Sequence, residues 1–426
     1  MSTVLREQLM PGVFLTSVHT AKFKSSLISM SLLTPLQRET VTVDALIPPL
    51  LLRGSEDHPD MQSLAAALDQ LYGGAIDPVV RKKGEVLCLG FLGSFLDDAY
   101  TLDGSGVLRE AAGLMGELLL RPCTENGAFR RDYTQQEKTN LVDRIRAEIN
   151  EKRQYAARRV IEEMCAGEAY GISATGREED VASITPESAW QRYQELLAHA
   201  RVEVYYCGSA PAEEVREILT GALKGLPRGG GYAIPKTLIL PAAQAPRRVE
   251  ERMNVNQGKL TMGFRTGGIT ATEGDYPGLV LCNALYGGTS TSKLFLNVRE
   301  KLSLCYYASS GLHKYKGILL VSSGVAFPDR QRAEDEILAQ LEACRQGRFE
   351  PWEVEGARRY LISALRTTLD SQGRQEDWWL GQAVAGSDQG PEELAEQMET
   401  VDVSRAVEAA QKLSLDTVYF LNGMED

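Results

Sequence analysis

The order of secondary-structure elements that the sequence predicts for the first half of this chain is repeated in its second half. In each half, hydrophobic periodicity and helix-stop signals predict a strand, a helix ending at a Gly-Gly pair, a β-hairpin, long helices and a last buried strand. The helix stops and the hairpin turns of the two halves fall at Gly73-Gly74 and Gly287-Gly288, and at Lys83-Gly84 and Lys316-Gly317. This repetition indicates an internal duplication and predicts two homologous domains.

A segment rich in glycine and proline separates the two halves. It contains Pro227, three consecutive glycines and three further prolines, the last of them Pro246, a composition typical of an inter-domain linker. We therefore assign residues 1–225 to an N-terminal domain, residues 226–246 to the linker and residues 247–426 to a C-terminal domain. The length of 426 residues suits this division, because a single core rarely grows beyond about 250–300 residues.

Composition argues against several classes of function. The formal net charge is −12, whereas a nucleic-acid partner requires a basic face. The densest apolar run, Ala45–Leu52, is too short to span a membrane, and the N-terminus has no cationic segment followed by a long apolar stretch. The seven cysteines are scattered and form no CxxC pair, which is typical of reduced thiols. We expect a cytoplasmic chain with neither a membrane nor a nucleic-acid partner.

Residues 294–306 carry one candidate pair of functional residues. Arg299 stands near the end of a predicted helix, and Tyr306 follows seven residues later, where a strand begins. A guanidinium and a phenol can both donate hydrogen bonds to a peptide carbonyl and stabilise an oxyanion. The spacing alone fits equally an exposed arginine and a tyrosine in the core of a sheet.

Two stretches of the chain resemble the motifs of the pitrilysin/insulinase-type zinc peptidases, the inverzincins. Residues 294–306 are similar to the Arg and Tyr motif of the family's second domain. Residues 45–55 are similar to its metal helix, which carries His-x-x-Glu-His and ends in a basic residue, Gly, and Ser or Thr; here Arg53-Gly54-Ser55 sets the register. The resemblance covers nearly the whole chain and is greatest to short bacterial members that lack the zinc motif. It implies an α+β fold of two homologous domains, each an antiparallel β-sheet covered by α-helices (the LuxS/MPP-like metallohydrolase fold).

In this register, every zinc-site position holds an unsuitable residue. The functional positions of the metal helix fall on Ala45, Pro48 and Pro49, and that of the family's downstream Glu ligand falls on Arg144. An inverted zinc helix needs two imidazoles one turn apart with a carboxylate beside them, and no two of the four histidines lie within a helical turn of each other. We interpret the nearby cluster of residues 56–60, Glu-Asp-His-Pro-Asp, as a solvated turn and helix cap. The chain is therefore predicted to hold no metal and to have no peptidase activity of its own.

The resemblance implies a non-catalytic subunit of a heterodimeric peptidase. In that role Arg299 and Tyr306 would face a cleft and act in trans on a zinc site held by a paralogue with an intact His-x-x-Glu-His. The ligand would be a peptide or an unfolded segment that adds as a strand to a sheet edge. The chain alone could form a homodimer.

A different class of function remains open. The chain could be a scaffold or adaptor without any part in proteolysis, as are the core subunits of respiratory complexes that share the fold. The resemblance to the bacterial members also implies a link to the modification of elongation factor P.

Overall fold

The computed structural model describes residues 3–102, 104 and 106–424. Its strands are β1 (Thr3–Met10), β2 (Val13–His19), β3 (Ser25–Pro35), β4 (Ala75–Lys83), β5 (Val86–Leu96), β6 (Thr124–Glu125), β7 (Ala128–Phe129), β8 (Arg201–Gly208), β9 (Arg247–Arg252), β10 (Gly258–Arg265), β11 (Cys305–His313), β12 (Ile318–Val325) and β13 (Ser414–Asn422).

The α-helices are α1 (Val41–Leu51), α2 (Met61–Gln70), α3 (Val107–Leu120), α4 (Arg131–Ala147), α5 (Lys152–Met164), α6 (Glu178–Val181), α7 (Pro186–His199), α8 (Ala212–Ala222), α9 (Tyr276–Asn283), α10 (Arg330–Arg345), α11 (Pro351–Arg366), α12 (Gln372–Ala385), α13 (Pro391–Thr400) and α14 (Val403–Lys412). Two π-helical segments, Ala284–Gly288 and Leu294–Lys301, follow α9. Within the described residues, no helix is long and apolar enough to cross a membrane.

The chain folds into two compact units, and the first contains residues up to Arg146 together with Ser173–Pro235. Its large sheet has the strand order β1-β2-β8-β3-β5-β4. Neighbouring strands are antiparallel except β2 and β8, which run parallel. Helices α1, α3 and α7 pack against strands of this sheet.

The second unit contains Ala147–Ile172 and the residues from Lys236 onwards. Read from its far edge, its sheet has the order β9-β13-β10-β12-β11, again with one parallel pair, β9 and β13. This order corresponds strand for strand to β2-β8-β3-β5-β4 of the first unit. The sheet topology thus shows the duplication that the order of elements predicts.

Residues 147–172, which we call the strap, pack with the second unit, although the division by sequence assigns them to the N-terminal domain. Helix α5 of the strap buries apolar side chains at helical spacing. They pack against the sheet residues Ile318, Leu320, Tyr419 and Leu421. Met164 of the strap lies where a side chain on Gly263 of β10 would collide with it. The glycine therefore lets the helix approach the sheet closely.

The other face of the second sheet carries the main core of this unit. Its side chains include Leu260, Met262 and Phe264 of β10, which are buried with residues of α9, α10 and α14. The second sheet is therefore covered by helices on one face and by the strap on the other.

Candidate functional site

Helix α1 carries three of the four predicted zinc-site positions, and all three are buried. Ala45, Pro48 and Pro49 lie inside the helix, which runs through both prolines to Leu51. The sequence predicts that Pro48-Pro49 breaks the helix, and this prediction is wrong. A proline in a helix interior costs about 3 kcal/mol, whereas each large apolar side chain contributes about 1.5–3 kcal/mol when fully buried. The buried large apolar side chains of α1 are Val41, Leu46, Ile47, Leu50 and Leu51.

The carboxylate next to these positions belongs to a buried ion pair. Asp44 is fully buried and accepts hydrogen bonds from Arg192 of α7, at 2.7 Å from Nε and 3.2 Å from Nη2. Burial raises the pKa of Asp44, and the contacts from Arg192 oppose this effect. No local sequence pattern predicts this pair, because its members lie 148 residues apart.

The fourth predicted zinc-site position lies on helix α4. Arg144 is exposed in the last turn, where a cation interacts favourably with the helix dipole. About two turns earlier, Glu137 is buried and accepts a 2.5 Å hydrogen bond from Nε of Arg53, which follows α1. This ion pair holds the end of α1 beside α4. The two elements that would carry the metal ligands are neighbours, but their side chains are of the wrong type.

The acidic and histidine cluster after α1 forms a turn and a helix cap, as predicted. Asp60 caps α2 by accepting a 2.8 Å hydrogen bond from the Ser63 amide. Nδ1 of His58 lies 3.1 Å from the Glu117 carboxylate, which also accepts a hydrogen bond from the Ser55 hydroxyl. The side chains of the cluster therefore bind to the protein itself.

The residues at the zinc-site positions do not fit a zinc ion. Alanine and proline side chains have no donor atom, and an arginine carries a positive charge that opposes a bound cation. Across residues 3–102, 104 and 106–424, no group of three or more His, Cys, Asp or Glu side chains is arranged to hold a metal.

Arg299 lies on the π-helical segment Leu294–Lys301 of the second unit. Its guanidinium is 4.6 Å from the ring centroid of Phe295 and 3.5 Å from the Glu300 carboxylate, and 41% of its side chain is exposed. π-Helical turns are rare in proteins, and many of those that occur lie at functional sites. The sequence predicts a helix here but gives no sign of its π-form.

Tyr306 is the extra residue of a β-bulge at the start of β11. Cys305 pairs with Val325 and Tyr307 with Gly324 on β12, which leaves Tyr306 without an opposite residue. The Tyr306 side chain is 76% exposed. The π-helical segment that carries Arg299 packs against β11. Arg299 and Tyr306 therefore belong to one region of the second unit.

The next residue, Tyr307, is held by the strap. The guanidinium of Arg153 lies 4.3 Å from the centroid of the Tyr307 ring and donates a 2.8 Å hydrogen bond to the Ser309 hydroxyl. Burial raises the pKa of Tyr307 to about 12, and the charge of Arg153 opposes this effect. The two adjacent tyrosines thus have opposite environments, one exposed and one packed.

This region can donate hydrogen bonds, but it cannot activate water. Arg299 and Tyr306 offer cationic and neutral donors to a carbonyl oxygen. Peptide hydrolysis also needs an activated nucleophile, and the positions that would supply a metal and a base hold Ala45, Pro48, Pro49 and Arg144.

The fold and these two stretches define a homologue of the pitrilysin/insulinase-type metallopeptidases that lacks the metal ligands. The family model described as Peptidase M16 inactive domain matches residues 183–361. Over 408 residues, the chain is 34% identical to the probable inactive metalloprotease YmfF of Bacillus subtilis (strain 168), covering 96% of this chain and 95% of that protein. The chain belongs to the M16 family of metallopeptidases and is an inactive homologue within it.

Solved structures confirm the predicted fold class. A conserved protein from Enterococcus faecalis V583 matches with a TM-score of 0.90 at 28% identity, covering 99% of each chain. A chain of Complex III2 from Candida albicans matches with a TM-score of 0.77, covering 99% of this chain and 96% of that chain. Its identity of 14% shows a common fold alone.

Proposed function

We propose that this chain is the non-catalytic subunit of a heterodimeric peptidase in the cytoplasm. In this proposal it binds an extended peptide and supplies Arg299 and Tyr306 to a zinc site on a partner chain. The partner is a paralogue that carries an intact His-x-x-Glu-His and holds the zinc.

The observation that carries the proposal is the unusual backbone around Arg299 and Tyr306. Arg299 stands on a π-helix, Ser303 has a positive φ of 51°, and Tyr306 occupies a β-bulge. Such conformations cost energy and concentrate at functional sites, where the surrounding structure maintains them. A tyrosine ring that is 76% exposed contributes little to the core, so the packing of Tyr306 does not account for the bulge.

The two side chains suit the stabilisation of an oxyanion. During peptide hydrolysis the carbonyl oxygen gains negative charge, and donors already in place stabilise it without reorganisation. The Phe295 ring beneath the guanidinium restricts the motion of Arg299. Removal of one such donor typically lowers kcat by about 10²–10³-fold.

Reconstituted peptidase activity tests the proposal. The chain is purified with the paralogue, and kcat and KM are measured for the wild type and for Arg299→Ala and Tyr306→Phe. We expect kcat to fall by about 10²-fold in each variant with a smaller change in KM, because the contacts form mainly in the transition state.

Matched controls come from helix α11, where Arg359 and Tyr360 are also exposed. Arg359→Ala and Tyr360→Phe should leave the rate unchanged. An unchanged rate for the Arg299→Ala complex would show that the chain does not act in trans.

A scaffold is the second candidate. The observation in its favour is the shared fold with a chain of Complex III2, a multi-subunit assembly. The modification of elongation factor P is one setting for such a role. Recovery of the native partner separates the two candidates, because a scaffold would be isolated with proteins that lack His-x-x-Glu-His.

A further inference from the structure

The π-helical segment Leu294–Lys301 contains a half-buried asparagine whose side chain binds the protein in two directions. The amide nitrogen of Asn297 donates a 3.1 Å hydrogen bond to the carbonyl of Lys293 and a 2.9 Å hydrogen bond to Oε1 of Gln340 on α10. A carboxamide nitrogen carries two hydrogens, so both donors of this side chain are used. Asn297 therefore ties the segment to its own first turn and to α10.

The bond to the Lys293 carbonyl affects the register of the backbone. In an α-helix this carbonyl would accept the N–H of Asn297, four residues later, whereas in a π-helix its donor lies five residues later. The five-residue register is seen at the end of the segment, where the N–H of Leu302 donates a 3.1 Å hydrogen bond to the Asn297 carbonyl. Asparagine side chains compete with the backbone for the carbonyl four residues earlier. The Asn297 side chain therefore favours the π-form over the α-form.

Helix α10 holds the Asn297 carboxamide in this orientation. The helix packs against the segment, and Nε2 of Gln340 donates a 2.6 Å hydrogen bond to the Glu336 carboxylate one turn earlier on α10. Because its nitrogen donates to Glu336, Gln340 presents its oxygen to Asn297. The three side chains thus form a chain of hydrogen bonds that runs in one direction, from the Lys293 carbonyl to Glu336.

The start of the segment is fixed by an ion pair. Nζ of Lys293 lies 2.8 Å from the Glu353 carboxylate of α11, and 12% and 6% of the two side chains are exposed. With the start fixed, the register of the following turn decides where Arg299 points. An α-helix has 3.6 residues per turn, so a change of register by one residue rotates a side chain by about 100° about the helix axis.

We propose that Asn297 is a positioning residue that directs the Arg299 guanidinium by holding the segment Leu294–Lys301 in the π-form. This inference rests on the proposed function and adds a residue that prepares the same site for the transition state. The hydrogen bonds of Asn297 go to Lys293 and Gln340, so it acts through the backbone of the segment. Arg299 itself supplies the hydrogen bond to the substrate.

Crystal structures of two variants of the full chain test the structural part of this inference. Asn297→Leu has a similar volume but no donor, and leucine is a good α-helix former. Asn297→Asp keeps the shape of the side chain and also lacks the donors. We expect both variants to return to the α-register, with the N–H of Leu302 donating to the Val298 carbonyl and the Arg299 guanidinium displaced from its place over the Phe295 ring.

Kinetics of the complex with the paralogue test the positioning role. Asn297→Leu should lower kcat by about 10–10²-fold with a smaller change in KM, because a misplaced donor is lost mainly in the transition state. The double variant Asn297→Leu/Arg299→Ala should be no slower than Arg299→Ala alone, since Asn297 acts only through Arg299. A merely structural role would give losses that add.

A matched control comes from Asn422 on β13. This asparagine is also half-buried, and its side chain donates a 2.9 Å hydrogen bond to Glu250. Asn422→Leu should leave kcat unchanged.

The inference is overturned if both Asn297 variants keep the π-form, if kcat of Asn297→Leu equals that of the wild type, or if the losses add in the double variant. A slow Arg299→Ala complex beside a fully active Asn297→Leu complex would leave the proposed function standing and remove only this inference. A fully active Arg299→Ala complex, with the π-form lost in the Asn297 variants, would remove the proposed function and leave Asn297 as the residue that sets the register.

Discussion

Two adjacent tyrosines of the second unit have opposite environments. Tyr306 is exposed on its bulge, whereas Tyr307 packs under the guanidinium of Arg153 with a pKa raised by burial to about 12. Alternation along a strand predicts opposite environments for the two residues. The bulge increases the difference, because it removes Tyr306 from the regular pairing.

The first prediction concerns stability at these two residues. Tyr306→Ala should change the free energy of unfolding of the second unit by less than about 0.5 kcal/mol, as expected of an exposed side chain. Tyr307→Ala should cost about 2 kcal/mol, because it removes a half-buried ring and its contact with Arg153. Urea denaturation measures both values. A larger loss for Tyr306→Ala than for Tyr307→Ala would assign Tyr306 a structural role.

At the scale of single residues, the register of a motif predicts the zinc-site positions Ala45, Pro48, Pro49 and Arg144, but it does not predict the contacts of their neighbours. The buried pair of Asp44 and Arg192 could not be predicted, because ion pairs between distant elements leave no periodic signal.

The strap is the segment whose place in the structure differs most from its predicted domain, because it packs with the second unit. Its C-terminal end is held by a buried charge cluster in which Glu168 lies 2.5 Å from Arg265 and 2.7 Å from Lys316. Arg265 also lies 3.4 Å from Asp416. Burial alone would raise the pKa of Glu168, but the hydrogen bonds from Arg265 and Lys316 outweigh it and hold the pKa below its usual value of 4.5.

This cluster predicts how stability changes with pH. Because the pKa of Glu168 is lower in the folded state, its stabilising contribution is present above about pH 4.5 and is lost as the pH falls through the lowered pKa. Glu168→Gln should cost about 3–5 kcal/mol at pH 7, since it leaves the buried Lys316 ammonium without its carboxylate. The difference from the wild type should shrink below pH 4.5.

Urea denaturation across pH 3–7 checks this prediction. Glu151→Gln, at an exposed carboxylate just before α5, is the matched control and should have little effect at any pH. If both variants follow the same pH dependence, the charge cluster does not hold the strap.

Elements were predicted well where local signals were strong. Both hairpins and the repeated order of elements follow from the sequence. Helix α1 was predicted to break at Pro48-Pro49 because local propensity gives no measure of tertiary burial. The sequence does not predict that α5 packs on the second sheet. No glycine or proline between residues 147 and 166 marks a change of domain before this helix.

At the scale of the whole molecule, the two units share one sheet topology but differ in the residues at their predicted sites. At the predicted zinc-site positions, the first unit has the buried residues Ala45, Pro48 and Pro49 and the exposed Arg144. The second unit has Arg299 on a π-helix and Tyr306 on a bulge. The sequence predicts this asymmetry through its two motifs. It gives no sign of the unusual backbone, because a π-helix or a bulge inserts a single residue into an otherwise regular pattern.

The zinc content of the purified chain, alone and in complex with its paralogue, tests the central claim most directly. Inductively coupled plasma mass spectrometry should detect no stoichiometric zinc in the chain alone and one zinc per heterodimer. The zinc should be lost when the His-x-x-Glu-His of the partner is mutated. Stoichiometric, tightly bound zinc in this chain alone would contradict the account.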